Sequence, residues 1–377
     1  MPTKKRIAIL CPGVGIVERG VEGYVTRFKE YLKNEYDIDI FSYKTTKDSI
    51  GVPLSKFEKF FYFHFNPIKK ENRITHLING GYNIINGIIL SYLFGIKVFR
   101  KIKKSGKKYD LIYDSSGLGS QLLCNVYRKR TCTPFIITDH SGDKVAFLSL
   151  LTKPNAFIAL KKESLKRIKR QTKNFKINTK GVKILVIPNG VDSRPFEKHK
   201  KKNILKKVSH PIILSTSALD NSKRLHLLIV AVAKMKKGTL VMTGKGSLKE
   251  KLLSLGREVL GDRFRYLGVL SYNKLINLYY SCDVFSLPSE NENFSTSILE
   301  AMMANKSVVT QKDSERKRIV GKAGYCIECT DIKKYAHYLM KAYETNFGDE
   351  PKKQALKYDW EKTIGAYKKL INNLILF

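Results

Sequence analysis

Short apolar runs of β type alternate with longer helical stretches along the whole chain, and this alternation limits the fold more than any other feature. In the first half the runs are "RIAIL", "DIDIFS", "LIYDS", "PFIIT", "AFIAL" and "ILVIP". In the second they are "IILST", "TLVMTG", "FRYLG", "VFSLPS", "SVVT" and "YCIE". Continuous apolar strands separated by helices are strands buried on both faces, the mark of parallel sheets. The series restarts near Pro211, after the charged stretch "EKHKKKNILKKVSH" at 197–210, which reads as a linker. The expected class is therefore α/β, with two doubly wound domains and ligands at the carboxyl ends of the strands, in a cleft where the domains face each other. A length of 377 residues suits two domains, and 43% hydrophobic residues suits two sizeable cores. The boundaries expected are 1–200, 201–352, and a last helix at 353–377 that crosses back to the first domain.

The net charge of +37, from 70 Lys and Arg against 33 Asp and Glu, is the outlying quantity. It favours acidic partners such as nucleic acid, anionic lipid or phosphorylated substrates, or else reflects a Lys-rich compositional bias. Residues 51–108 interleave basic and aromatic side chains, as in "KFEKFFYFHFNPIKK" and "RKIKKSGKKYD". An anionic membrane surface is the partner expected for this segment. A single-stranded nucleic-acid platform and plain packing of an amphipathic region are the alternatives. The apolar run "IINGIILSYLFGIKVF", 84–99, is too short and too interrupted to span a bilayer. The start "MPTKKRIAIL" reads as a strand and not as a signal peptide. Six cysteines in mostly apolar surroundings fit a reducing compartment. The expected location is cytoplasmic, peripheral on the inner face of the cell membrane. Cys326 and Cys329 form a lone Cys-x-x-Cys, short of the four ligands of a structural zinc site.

Several strands run into loops with chemistry. "ILCPGVGIVERGVEGYV" places Gly20 at a helix start, where backbone N–H groups suit an anion. "IITDHSG" places His140 just past a strand end, where a neutral imidazole can bond a hydroxyl or share a developing charge. "ILSTSALDNSKRL" puts Lys223 and Arg224 near a helix start, a conflict with the helix dipole that a bound anion relieves. "VMTGKGS" holds Lys245 between two glycines. "VFSLPSENENFSTSILEAMMA" is strand, loop and helix: Glu292 lies in the loop, Glu300 one to two turns down the helix, and Ser295, Thr296 and Ser297 open its first turn. Carboxylates are strong acceptors for sugar or ribose hydroxyls.

The pattern Glu292-x7-Glu300, with Phe294 inside it and "LEAM" after it, resembles the signature of retaining glycosyltransferase family 4, of the GT-B fold. Other pieces follow the family's order: "RGVE" at 19–22, "IPNGVDSRPF" at 187–196, "SALDNSK" at 217–223, "GKG" at 244–246, "RYLG" at 265–268 and "YDWEKTIGAY" near the end. The resemblance covers nearly the whole chain and thins over 45–108. It implies two Rossmann-like domains and a nucleotide-diphospho-sugar donor held mainly by the second. By that resemblance Glu292 contacts the sugar, Glu300 the ribose and Lys223 the diphosphate. Gly20 closes over the phosphates, and His140 lies beside the reacting carbon. Transfer to a glycan or lipid-linked acceptor would retain configuration, with no cofactor and no metal. Asp37 and Asp39, a D-x-D inside a strand, read as surface charges.

Three positions depart from the pattern: Ser217 and Ala218 stand where a glycine and an arginine are usual, and Ser295 follows Phe294 where a glycine is usual. Another cation has to replace the arginine. Lys245 and Arg316 are the candidates, ahead of Arg224, which one helical position on from Lys223 points about 100° away. A nucleotide-sugar epimerase of the same fold, and a non-catalytic or nucleic-acid-binding protein that keeps it, are the alternative readings.

Overall fold

The computed structural model describes residues 4–16, 20–56, 58, 73–140, 145–198, 202, 204–205, 208–290, 292 and 294–375. It divides into two units, one of Met1–Ile187 with Ile364–Phe377 and one of Pro188–Thr363. The first division falls at Ile187/Pro188 rather than at residue 200. Local bonding explains this, since Val191 bridges to Asp359 and Thr363 Oγ1 donates to the Pro188 carbonyl at 3.1 Å. The helix Trp360–Ile375 runs across the second division. Much of the expected linker (199–201, 203, 206 and 207) lies outside the described residues.

In the first unit, β1 (Lys5–Leu10), β2 (Tyr36–Ser42), β3 (Ile50–Gly51), β4 (Leu111–Asp114), β5 (Phe135–Asp139), β6 (Ala156–Ala159) and β7 (Lys183–Val186) form one parallel sheet. Its order is β3-β2-β1-β4-β5-β6-β7, so the winding reverses between β1 and β4. Ile7 to Leu10 are wholly buried, as a strand covered on both faces must be. All but β3 are runs expected from the sequence; β3 is two residues long and carries no pattern.

The apolar run 84–99 lies in the helix Arg73–Ser105. Phe94, Val98 and Ile102 recur every four residues along it and pack into one cluster with Phe41, Tyr109, Cys124 and Phe135. One stripe of this run is thus core, while Ile85 and Tyr92 stay exposed. Among the described residues no helix is long and apolar enough to cross a membrane. Most of "KFEKFFYFHFNPIKK" lies outside the described residues. A second helix, Leu118–Thr131, crosses close to the first at Gly119, where a Cβ would stand 2.1 Å from the Ile88 carbonyl oxygen. Only glycine permits that approach.

The second unit repeats the plan. β8 (Ile212–Thr216), β9 (Thr239–Thr243), β10 (Phe264–Tyr266), β11 (Val284–Leu287), β12 (Ser307–Gln311) and β13 (Gly324–Ile327) form a parallel sheet in the order β10-β9-β8-β11-β12-β13. The winding reverses between β8 and β11, the place where a doubly wound sheet opens a ligand crevice. Both units are Rossmann-like, and the fold is the two-domain α/β fold expected.

All six cysteines are free thiols. Asp37 pairs with Arg6 at 2.8 Å. Asp39 accepts from Lys107 at 2.8 Å and from the Tyr109 hydroxyl at 2.6 Å. Burial works against the Asp39 charge, but these two bonds prevail and hold its pKa below the ordinary carboxylate value. Both aspartates serve as partners of neighbouring cations.

Candidate functional site

The loops that follow β8 and β11 meet at the switch point of the second unit. Asp220 accepts from the backbone N–H of Ser222 at 2.9 Å and of Lys223 at 3.3 Å, which winds the tight turn Asn221–Lys223. Arg224 follows in the left-handed region, φ 48°. Its Nε donates to the Pro288 carbonyl at 3.0 Å and its Nη2 to Gln311 Oε1 at 2.8 Å. The Glu290 N–H donates to the Ser222 carbonyl at 2.9 Å, tying the two loops together. Across this junction Lys223 Nζ donates to Glu292 Oε1 at 2.6 Å, both side chains largely buried. Two residues singled out in the sequence, 69 apart, are therefore in direct contact.

The helix Thr296–Met303 starts at the end of the second loop, and the Ser295 side chain does not cap it. Ser295 Oγ instead stands 3.4 Å from Ser297 Oγ. Unsatisfied N–H groups at such a start are a place for an anion. Glu300, 8% exposed, accepts from the Tyr279 hydroxyl at 2.8 Å. That hydroxyl also lies 2.8 Å from Thr216 Oγ1 at the end of β8. Burial, then the adjacent Glu300 charge, push the Tyr279 pKa far up, so the phenol remains a donor. Phe294 is buried with its ring edge-on to Tyr358 at 6.0 Å. This packing anchors the loop.

Of the two cations proposed to stand in for the missing arginine, the structure separates one from the other. A Cβ on Gly244 (φ 136°) would stand 1.9 Å from the Ser217 carbonyl oxygen, so the glycine loop lies directly against the loop after β8. The Leu219 N–H donates to the Lys245 carbonyl at 3.0 Å, which sets the exposed Lys245 beside Ala218. Arg316, expected as a donor-binding cation, is 2% exposed. Its Nη1 donates to the Ser289 carbonyl at 2.6 Å and to Ser289 Oγ at 3.1 Å, and its Nη2 to the Glu290 carbonyl at 3.1 Å. Its Nε donates to Asp313 Oδ2 at 2.6 Å. Arg316 thus clamps the loop that carries Glu292, with four of its N–H donors on protein acceptors.

The remaining two residues belong to the first unit. Gly20 is the first residue of the helix Gly20–Leu32. His140 follows β5, its Nε2 3.2 Å from the Tyr113 hydroxyl and its ring edge-on to Tyr24 at 4.6 Å. Burial lowers its pKa to about 4, so the imidazole is neutral near pH 7. His140 lines a cavity of about 610 Å³ at the carboxyl ends of β4 and β5, with Ser116, Leu118, Gln121, Asp139 and Ser149. Gln121 is 4% exposed and its Oε1 has no hydrogen-bond partner among the described residues. Sequence reasoning missed Gln121, Tyr279 and the clamping role of Arg224. For Gln121 a signal exists, since "LIYDSSGLGSQLL" is another strand, glycine loop and helix.

The family described as Glycosyl transferases group 1 matches residues 196–360. The matched stretch lies within the second unit, Pro188–Thr363, which is similar to that family. Over 187 residues, 45% of the chain, the sequence is 27% identical to sulfoquinovosyl transferase SQD2 of Arabidopsis thaliana. Over 213 residues, 52% of the chain, it is 28% identical to a probable sucrose-phosphate synthase of Thermosipho melanesiensis. The chain covers 36% and 49% of those proteins. Among solved structures, sucrose-phosphate synthase from Thermosynechococcus elongatus superposes with a TM-score of 0.72 at 16% identity, over 99% of this chain and 100% of that one. HepE of Anabaena, solved in complex with UDP, superposes with a TM-score of 0.65 at 16% identity, over 98% and 100%. These likenesses extend the GT-B fold to the whole chain.

Proposed function

We propose that the protein is a retaining glycosyltransferase. It takes a sugar from a nucleotide-diphospho-sugar and passes it to a glycan or lipid-linked acceptor at the cytoplasmic face of the membrane. The Lys223–Glu292 contact at the switch point of the second unit carries this reading. It brings one cation and one carboxylate together beside a helix start that Ser295 leaves uncapped, a set of groups suited to a diphosphate and its sugar. The two relatives, a sulfoquinovosyl transferase and a sucrose-phosphate synthase, and the UDP held by HepE support the same donor class.

In this reading Lys223 leaves Glu292 for the diphosphate, and the Thr296 helix start and Lys245 share its charge. Glu292 then accepts from sugar hydroxyls, and Glu300, oriented by Tyr279, accepts from the ribose. The bond between the anomeric carbon and the diphosphate oxygen breaks as the acceptor oxygen bonds to that carbon from the same face. The acceptor proton passes to the departing diphosphate oxygen. Neutral His140 acts on the acceptor side, where Gln121 and the cavity offer a seat for a hydroxylated group. No metal enters this scheme.

The test is a thermal-shift panel of nucleotide sugars, because binding to the folded state raises apparent stability. At least one should raise the midpoint, and Lys223→Ala should abolish the shift from the diphosphate forms. A panel in which no nucleotide or nucleotide sugar binds would refute the reading.

A further inference from the structure

The helix Lys162–Asn174 of the first unit contains one acidic residue, Glu163, and six cations. Its inner face is Ser164, Ile168 and Thr172, all buried. Lys162, Lys166, Lys169 and Lys173 are exposed at spacings of four, three and four, a straight stripe along the outer face, and exposed Arg170 and Lys176 extend it. A solvated basic face would need nothing more. Here, however, the stripe ends on Phe175, a phenyl ring left 66% exposed. That ring stacks at 5.0 Å on buried Phe147, in the short helical turn Ala146–Thr152, whose Leu151 is itself 55% exposed. Large apolar side chains next to a row of lysines match an interface that is anionic at the surface and apolar just beneath. Nucleic acid would complement the lysines but gives no reason for the leucine.

We propose that this corner of the first unit, with the lysine stripe of 162–173 and the side chains of Phe175 and Leu151, is a docking surface for an anionic lipid bilayer. The turn that carries Leu151 also contributes Ala146, Leu148 and Ser149 to the wall of the 610 Å³ cavity beside His140. A bilayer held at Phe175 and Leu151 therefore lies one turn of chain from the cavity, where the polar head of a lipid-linked acceptor can enter. That last link rests on the transferase reading; the docking itself does not.

Vesicle sedimentation of the full chain tests it, with phosphatidylglycerol mixed into phosphatidylcholine against phosphatidylcholine alone, at low and high salt. Binding should require the anionic lipid and weaken with salt. Each basic side chain near such a surface is worth about a five-fold factor, so Lys166→Glu with Lys169→Glu and Lys173→Glu should lower the partition by roughly 100-fold. The same reversal at exposed Lys333, Lys334 and Lys352 of the second unit should not. Phe175→Ser should cost about 10-fold at any salt. A Phe175→Trp variant should show a blue-shifted emission on anionic vesicles above the background of buried Trp360. Equal losses from the two triple variants would overturn the proposal, as would an unshifted emission from the Phe175→Trp variant when it sediments with vesicles. So would an oligonucleotide that binds through the stripe while vesicles do not. Nucleotide-sugar binding by the same samples is scored separately, so either idea can fail alone.

Discussion

Replacing Arg316 with lysine asks whether that residue clamps a loop or binds a ligand. The guanidinium donates four hydrogen bonds: two to Ser289, one to the Glu290 carbonyl and one to Asp313. A lysine keeps the charge but has a single nitrogen, so it cannot reach both carbonyls and the carboxylate. Hydrogen bonds to a charged group are worth about 1.5–3 kcal/mol each and do not add independently. Breaking a buried charged network by removing one partner costs about 3–5 kcal/mol, which sets the scale for Arg316→Lys. At about 2–4 °C per kcal/mol for a unit of this size, the unfolding midpoint should fall by roughly 6–20 °C. Scanning calorimetry measures that fall, and titration calorimetry at low temperature compares a nucleoside with its diphosphate. A clamp that loosens displaces the loop before Glu292 and the whole helix Thr296–Met303, with Glu300 on it, so nucleoside and diphosphate should both weaken as the midpoint falls. The reasoning is refuted if the diphosphate loses more than about tenfold relative to the nucleoside while the midpoint stays put, because that is how a direct ligand behaves.

Lys245→Ala should behave in that opposite way, costing the diphosphate about 1.5–3 kcal/mol relative to the nucleoside with no change in midpoint, as titration of both ligands would show. Tyr279→Phe removes the donor that holds buried Glu300 and should destabilise the protein by about 1–3 kcal/mol in urea unfolding, while weakening nucleoside binding. His140 has a folded pKa of about 4 against an ordinary 6.5. Below pH 6.5 the unfolded chain takes up a proton that the folded one refuses, so stability drops as pH falls from 6.5 towards 4. The full effect is about 3 kcal/mol. His140→Asn should remove that part of the slope, measured as the difference between the two proteins' urea midpoints across the same pH range.

The strands were legible because burial on both faces writes itself into consecutive apolar residues. Twelve of the thirteen described strands coincide with runs read from the sequence, most of them apolar throughout, although β2 alternates with two aspartates; β3, two residues long, shows why shorter pairing leaves no trace. The switch points follow from strand order, which sequence spacing does not contain. The run 84–99 was legible as apolar and not as core, since its stripe of Phe94, Val98 and Ile102 acquires a direction only from the sheet it covers.

At the site, position was easier to read than engagement. Lys245 and Arg316 look alike in sequence, each a cation in the chain that follows a strand, and each was a fair substitute for the arginine absent at Ala218. Their difference lies in burial and in what surrounds them. Arg316 stands three residues after Asp313, whose side chain caps the helix Ser314–Val320 by accepting from the Arg316 N–H at 2.7 Å and also binds its guanidinium. "DSER" carries that local half of the clamp, an aspartate at a helix start with an arginine three residues on. The other half, the carbonyls of Ser289 and Glu290, lies more than twenty residues earlier and is brought alongside only by the parallel pairing of β11 with β12. A buried guanidinium must satisfy its donors, and once the sheet supplies those carbonyls four of the five donors of Arg316 are committed to the protein. Burial makes no such demand of Lys245: the glycines on either side let its loop lie against Ser217 and Leu219, and its side chain remains exposed to solvent. The arginine lost from the loop after β8 is therefore best sought in the glycine loop that touches Ala218's neighbours, not in the helix behind the clamp.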